Sequence, residues 1–219
     1  MTAPPLVTIT RQYGSGGSDI ARLVAKALGW TLIDNEFVER VARRAGLPRE
    51  EVAQLEERAP GLLERMARAL AVASPDMFIT ASSGQTSAGA AVHVEQDEAT
   101  IVKMTERVIA EAAAEGRVVL VGRGAQAVLA KRENSLHVYV IASKPWRKQI
   151  AVERLGVDPA NVDRVLDETD KARDHYVKTY YGRDRHDLTN YDVVVNAETL
   201  GFEGAAGVIV AEAKRRGWT

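Results

Sequence analysis

A glycine-rich stretch near the N-terminus carries the residue types best suited to chemistry: Arg11-Gln12-Tyr13-Gly14-Ser15-Gly16-Gly17-Ser18. It follows a short β-branched run at 6–10 and precedes a segment with apolar residues at helical spacing. Glycines let backbone N–H groups converge, and the first turn of a helix adds unbonded N–H groups at the positive end of its dipole. A turn that only packs the helix against the sheet is the structural alternative. The strand–turn–helix–strand order favours a phosphate site.

The loop differs from the Walker A sequence, G-x-x-x-x-G-K-[ST], at two positions. Gly16 and Ser18 match the second glycine and the hydroxyl residue, whereas Arg11 replaces the first glycine and Gly17 replaces the lysine. We expect the Arg11 guanidinium to supply the missing charge. The predicted ligand is ATP with Mg²⁺, to which Ser18 gives one oxygen. The predicted phosphate-binding residues are Tyr13, Gly14, Ser15, Gly16, Gly17 and Ser18.

The rest of the chain alternates predicted strands and helices. The strands are predicted at 6–10, 31–33, 118–121, 136–141 and 192–195, and the later helices at 95–115, 146–155, 161–181 and 202–216. This order predicts an α/β fold with a doubly wound, five-stranded parallel sheet, in one domain over 1–219. Ligands bind beyond the carboxyl ends of the strands in such a sheet, which is where Arg11, Asp34 and Arg123 fall.

Composition excludes several classes of protein. The 219 residues include 29 basic and 30 acidic side chains and no cysteine, which excludes a disulfide framework and a thiol nucleophile. A net charge of -1 argues against a general nucleic-acid binder, and the 4 histidines lack the spacing of a metal site. The apolar runs are too short to span a bilayer and no signal-peptide pattern is present, so we expect a cytoplasmic protein.

Three segments resemble the cytidylate-kinase-like proteins, a divergent branch of the P-loop nucleoside monophosphate kinases whose glycine loop likewise lacks the lysine. They are Ile9-Thr10-Arg11-Gln12-Tyr13-Gly14-Ser15-Gly16-Gly17, Ile33-Asp34 and Val119-Leu120-Val121-Gly122-Arg123-Gly124. The resemblance runs from about residue 6 to 201, with a poor match at 61–94. It implies a P-loop kinase with a helical acceptor-binding insertion at about 35–95 and an arginine-bearing lid at about 156–190. Helices predicted at 35–45, 49–58 and 61–73, and an irregular segment at 74–94, fall in that insertion.

The resemblance also implies roles for single residues. Asp34 matches the acidic residue near the acceptor nucleotide, and Arg123 matches the arginine near the acceptor phosphate. Asp170 and Arg173 match the Asp-x-x-Arg pattern of the lid. Gly124 stands where authentic cytidylate kinases usually have an aspartate.

Phosphoryl transfer needs cations around the transferring group and little covalent chemistry from the protein. Arg123 stands between two glycines at a strand exit, where a long cation has no surface to cover, so we expect it to function. Arg147, Arg164 and Lys171 are expected on a solvated helix face. The predicted catalytic residues are Arg11, Arg123, Arg173 and Arg183, and the predicted acceptor-binding residues are Asp34, Arg123, Arg154 and Asp170.

Together these residues predict a nucleoside monophosphate kinase that transfers the γ-phosphoryl group of ATP to a pyrimidine monophosphate, with CMP or dCMP first. Two alternatives stay open: a catalytically weak nucleotide-binding module that acts through a partner, and a P-loop kinase for another small acceptor. Nucleotides are the predicted partners and a homodimer is possible, whereas neither nucleic acid nor a membrane is expected.

Overall fold

The computed structural model of this chain describes residues 2–34 and 98–218. The acceptor-binding insertion expected at about 35–95 lies outside the described residues, together with its helices at 35–45, 49–58 and 61–73 and its irregular segment at 74–94. The account below concerns the described residues.

The sheet consists of five parallel strands: β1 (Leu6–Arg11), β2 (Thr31–Asp34), β3 (Val118–Val121), β4 (Ser135–Ile141) and β5 (Val193–Asn196). Their order across the sheet is β2-β3-β1-β4-β5. The central strands are buried along almost their whole length and β3 is entirely apolar, as expected for a parallel sheet that is covered by helices on both faces. The predicted five-stranded parallel α/β sheet is confirmed.

The described helices are α1 (Gly17–Leu28), α2 (Glu98–Glu115), α3 (Ala125–Val128), α4 (Lys144–Leu155), α5 (Val162–Tyr181) and α6 (Ala197–Arg215). α1 ends at Leu28, and the left-handed backbone of Gly29 (φ 65) closes the helix. The one-turn helix α3 and a 3₁₀ turn at Leu188–Asn190 are absent from the sequence prediction. α6 begins before the predicted position 202 and contains a break at Gly201 (φ 67, ψ 173).

One face of the sheet packs against α1 and α6. Val7 and Ile9 of β1 are buried there with Ile20 of α1 and Ile209 of α6. Each fully buried aliphatic side chain of this kind stabilises a fold by about 1.5–3 kcal/mol. This packing fixes the start of α1 against the end of β1, at the edge of the sheet where β2 and β3 also end.

A buried polar cluster lies on the opposite face of the sheet. Thr8 Oγ1 is 2.7 Å from His137 Nδ1, and the backbone N–H of His137 donates to the Asp192 carboxylate at 2.7 Å. Burial lowers the pKa of His137; Asp192 opposes this effect, and Arg183 and Arg216 add to it. The fold therefore favours the neutral imidazole.

His137→Asn should make the free energy of unfolding depend less on pH at mildly acidic pH. Because the pKa of His137 is lower in the folded chain, the unfolded chain takes up the proton first. Wild-type stability therefore falls as the pH drops below the unfolded value of about 6.5. Asparagine keeps a polar group beside Thr8 but does not titrate. Urea unfolding at about pH 7.5 and about pH 5.5 measures the difference, and an equal loss of stability in both proteins would contradict this prediction.

Candidate active site

The glycine loop joins β1 to α1 and presents unbonded backbone N–H groups. Gly14 and Gly16 adopt left-handed conformations (φ 77 and 74), which lets the chain turn sharply before α1 begins. Within the described part of the chain, no hydrogen bond is formed to the backbone N–H groups of Gly14, Gly16, Gly17 or Ser18. The same four residues line a cleft of about 360 Å³. Such N–H groups at a helix start are suited to bind phosphate.

Ser15 differs from its neighbours in the loop because its side chain is fully buried. Its hydroxyl donates to the Gln12 carbonyl at 2.8 Å and lies 3.3 Å from the Val140 carbonyl of β4. Its backbone N–H also donates to the Gln12 carbonyl, at 3.3 Å. Ser15 therefore supports the loop from within, and its place among the phosphate-binding residues stays a prediction.

The two departures from the Walker A sequence are in contact. A Cβ atom at Gly17, the position of the missing lysine, would lie 2.5 Å from Arg11 Cβ and 2.8 Å from Arg11 Cγ. The Arg11 side chain continues past the Cα of Gly122, which it contacts closely, and its Nη2 is 4.0 Å from Asp34 Oδ1. Arg11 is only 5% exposed. Its stem occupies the space above Gly17, while its charge lies toward the ends of β2 and β3.

A second pocket, of about 30 Å³, shares Arg11 and Arg173 with the loop cleft. Arg123 lines it in a left-handed conformation (φ 48), and its guanidinium carbon lies 4.9 Å from the ring centroid of Tyr176. Tyr176 is buried. A cation over an aromatic face is stabilised by the ring quadrupole. The strand exit thus holds Arg123 at the wall of the pocket.

Gly124 lies against the ring of Tyr181, which fills the space that a side chain at this position would occupy. Gly124 is also left-handed (φ 67), so any other residue here is strained. Burial raises the pKa of the Tyr181 hydroxyl, so this side chain is uncharged where it lies against Gly124. The aspartate that cytidylate kinases usually carry here therefore has no room beside Tyr181.

Arg173, on α5, lies between the two clefts and lines both of them. Its Nη1 donates to the Arg11 carbonyl at 3.3 Å, and its guanidinium carbon is 5.7 Å from the ring centroid of Tyr13. Arg11 and Arg173 are therefore brought together, as the predicted catalytic roles require.

Asp170, one turn earlier on α5, is bonded to donors within the protein. Its Oδ1 accepts the backbone N–H of Tyr13 at 2.9 Å, and its Oδ2 accepts from Arg147 Nη1 at 2.6 Å. The expectation that Arg147 lies on a solvated helix face is wrong, because Arg147 is 8% exposed and packs under the loop. Arg164 and Lys171 are exposed, which confirms the same expectation for them.

Five predicted site residues line neither of these clefts: Ser15, Asp34, Arg154, Asp170 and Arg183. Arg183 donates to the Asn190 side chain at 2.8 Å, within the turn that follows α5. Arg154 is exposed, and its guanidinium carbon lies 4.7 Å from the ring centroid of Phe202. That ring contacts Gly16, so Arg154 stands at the outer border of the loop cleft.

Arg185 is a site residue that the sequence does not single out. It is 4% exposed, and it donates from Nε to Asp174 at 2.6 Å and from Nη1 to the Arg11 carbonyl at 2.9 Å. Burial alone would lower its pKa, but Tyr139 and Asp174 outweigh burial and raise it. In the sequence nothing distinguishes Arg185 from Arg183, two residues earlier. Only the folded structure shows that Arg185 is the one bonded to the Arg11 carbonyl.

The residues present fit a Mg²⁺ ion that arrives with a nucleotide. The described residues contain no group of three acidic or histidine side chains that could hold a metal. β3 is followed by Gly122, so no carboxylate stands directly at its end. The Ser18 hydroxyl at the start of α1 is the oxygen that such an ion would take from the loop, and phosphate oxygens and water would complete its ligands.

The chain belongs to the cytidylate kinase-like family, whose sequence profile matches residues 6–199. No curated protein sequence matches it. Within residues 2–34 and 98–218, every helix falls short of the length and apolar content that a bilayer crossing requires.

Solved structures show the same fold at low identity. An uncharacterised protein from Eubacterium ventriosum superposes with a TM-score of 0.64 at 19% identity, covering 96% of this chain and 98% of its own. Shikimate kinase from Bacteroides thetaiotaomicron superposes with a TM-score of 0.51 at 13% identity, covering 96% of this chain and 98% of its own. Shikimate kinase from Acinetobacter baumannii, solved with shikimate, gives a TM-score of 0.50 at 14% identity, covering 97% of this chain and 94% of its own. The chain has the fold of the P-loop kinases, as predicted.

Gly17→Ala should destabilise the protein and disturb the loop. The new methyl group would meet the Cβ of Arg11 at 2.5 Å, and overpacking of this kind costs about 1–3 kcal/mol. Gly207→Ala, in α6, is the matched control: nothing lies within 4 Å of its new methyl, so a gain of about 0.5–1 kcal/mol is expected. Thermal unfolding measures both, and equal melting temperatures would contradict the close contact of Arg11 with Gly17.

Proposed function

We propose that this protein is an ATP-dependent kinase that phosphorylates an anionic acceptor, a pyrimidine nucleoside monophosphate such as CMP or dCMP. The observation that carries the proposal is the pair of adjoining clefts that share Arg11 and Arg173. One cleft is lined by the glycine loop and the other by Arg123. A group that passes between the clefts meets both shared guanidinium groups, where phosphoryl transfer needs positive charge.

The glycine loop binds the donor. The backbone N–H groups of Gly14, Gly16, Gly17 and Ser18 hold the phosphates of ATP at the start of α1. Mg²⁺ bound with the nucleotide neutralises phosphate charge and aligns the phosphates. Arg11 and Arg173 flank the transferring group, and their buried stems hold the two guanidinium groups in place before the substrate arrives.

The acceptor binds beside Arg123, with Asp34 at the neighbouring strand end. An oxygen of the acceptor's phosphate group attacks the γ-phosphorus of ATP, the bond from that phosphorus to the β,γ-bridging oxygen breaks, and ADP leaves. No general base is needed, because the attacking oxygen is already anionic. Arg123 and Arg11 supply the charge that brings two anions together.

A second candidate is a kinase for a smaller acceptor. The contact between Gly124 and Tyr181 favours it, because the tyrosine ring occupies the place of the aspartate found in authentic cytidylate kinases. The second pocket is also small, about 30 Å³. Hydroxy acids such as shikimate, the ligand of one structural neighbour, belong among the acceptors to be tested.

ADP formation from ATP·Mg²⁺ with a panel of acceptors tests both candidates. The panel contains the common nucleoside monophosphates, their deoxy forms and shikimate. We expect CMP or dCMP to give the highest kcat/KM. Turnover confined to a non-nucleotide would replace the first candidate by the second, and ATP binding without turnover of any acceptor would indicate a nucleotide-binding module.

Arg11→Ala should lower turnover by about 10²-fold or more, the usual effect of removing one preorganised charge that stabilises a transition state. Arg164→Ala is the control, because Arg164 is an exposed arginine paired with Glu168 on α5. Thermal unfolding of both variants separates catalysis from stability. If Arg11→Ala unfolds at a lower temperature but keeps its turnover per folded molecule, Arg11 has a structural role only.

A further inference from the structure

One ion pair holds both backbone polar groups of Tyr13, in the glycine loop. Asp170 Oδ1 accepts the N–H of Tyr13 at 2.9 Å, and Arg147 Nη1 donates to the carbonyl of Tyr13 at 3.1 Å. The same Nη1 donates to Asp170 Oδ2 at 2.6 Å. Asp170 lies on α5 and Arg147 on α4, so two helices meet at the residue that precedes Gly14.

The backbone is held in the same way two residues earlier. Arg185 donates from Nη1 to the Arg11 carbonyl at 2.9 Å, and its Nη2 is 3.4 Å from Asp170 Oδ1. The side chains of Arg185, Arg147 and Asp170 are 3%, 10% and 18% exposed. Charges withdrawn from water in this way are costly unless their partners stay in place. The loop and α5 are therefore constrained to keep their relative position.

We propose that Asp170 and Arg147 are positioning residues for the glycine loop. By fixing the two peptide units on either side of the Tyr13 Cα, they set the direction of the N–H groups that follow at Gly14 and Gly16. This inference rests on the proposed function, in which those groups hold the donor phosphates. It moves Asp170 from the acceptor-binding residues, among which the sequence analysis placed it, to the donor side, where a residue of the expected lid supports the glycine loop.

The chain contains a matched control for this pair. Lys144 and Asp167 also join α4 to α5, with Lys144 Nζ 2.8 Å from Asp167 Oδ1. Both side chains are about half exposed (43% and 50%), and the contacts of this pair within the described residues do not include the loop. If the ion pair at Asp170 acts only by joining the helices, Asp167→Asn and Asp170→Asn should behave alike.

Asp170→Asn preserves the shape of the side chain but cannot make both contacts. If the amide oxygen accepts from Tyr13, the amide NH₂ faces the guanidinium of Arg147, and the reverse orientation turns the NH₂ toward the N–H of Tyr13. Arg147→Gln breaks the pair from the other side. The two changes should also be non-additive, so that the double variant is little worse than either single one.

Two measurements are made on the full chain. Calorimetric titration with AMP-PNP·Mg²⁺, a non-hydrolysable ATP analogue, should show about 10- to 100-fold weaker binding for Asp170→Asn and for Arg147→Gln, since displacements near 1 Å have effects of this size. Asp167→Asn should bind like the wild type. Hydrogen exchange of the peptide covering residues 13–18 should be faster in Asp170→Asn than in Asp167→Asn.

The outcomes separate this inference from the proposed function. If the wild type binds the analogue and Asp170→Asn binds it as tightly as Asp167→Asn does, the positioning role is overturned and the function stands. If the wild type binds no analogue, the proposed function fails and exchange alone decides: faster exchange at residues 13–18 supports the positioning role, and exchange equal to that of Asp167→Asn overturns it.

Discussion

The rest of the site depends on how positive charge is held at the end of β1. Several arginine side chains meet there: Arg11, Arg147, Arg173 and Arg185. Guanidinium groups repel one another, and the repulsion grows as water is withdrawn. Asp170 and Asp174 offset it, and the carbonyls of Arg11 and Tyr13 accept further guanidinium donors. These acceptors let the fold keep cations beside a cleft before any phosphate is bound.

The two departures of the glycine loop from the Walker A sequence, at Arg11 and Gly17, depend on each other. Arg11 needs Gly17 because its stem lies over that Cα, and it needs Gly122 because its guanidinium passes that Cα. A lysine at 17 and an arginine at 11 would compete for the same space. The charge of Arg11 therefore lies toward the end of β2, and Arg11 lines both the loop cleft and the second pocket.

Local sequence patterns were enough to predict the sheet and the loop, whereas the contacts that support the loop could not be predicted from such patterns. β1 and α1 are visible because β-branched runs and helical spacing are properties of neighbouring residues. The contacts of Tyr13 with Asp170 and Arg147 join residues 157 and 134 positions apart. In sequence, Arg147 and Arg164 look alike on charged amphipathic helices, and only the packing of α4 under the loop buries one of them. α3 has too few residues to show a period.

α5 links the geometry of the glycine loop to that of the second pocket. Asp170 and Arg173 hold the loop backbone, and further along the same side of the helix Tyr176 and Tyr181 form walls near Arg123 and Gly124. Removing one member of a buried ion pair costs about 3–5 kcal/mol, so swinging α5 away from Tyr13 is opposed even without nucleotide. A substitution that shifts α5 to widen the second pocket must therefore also displace the glycine loop.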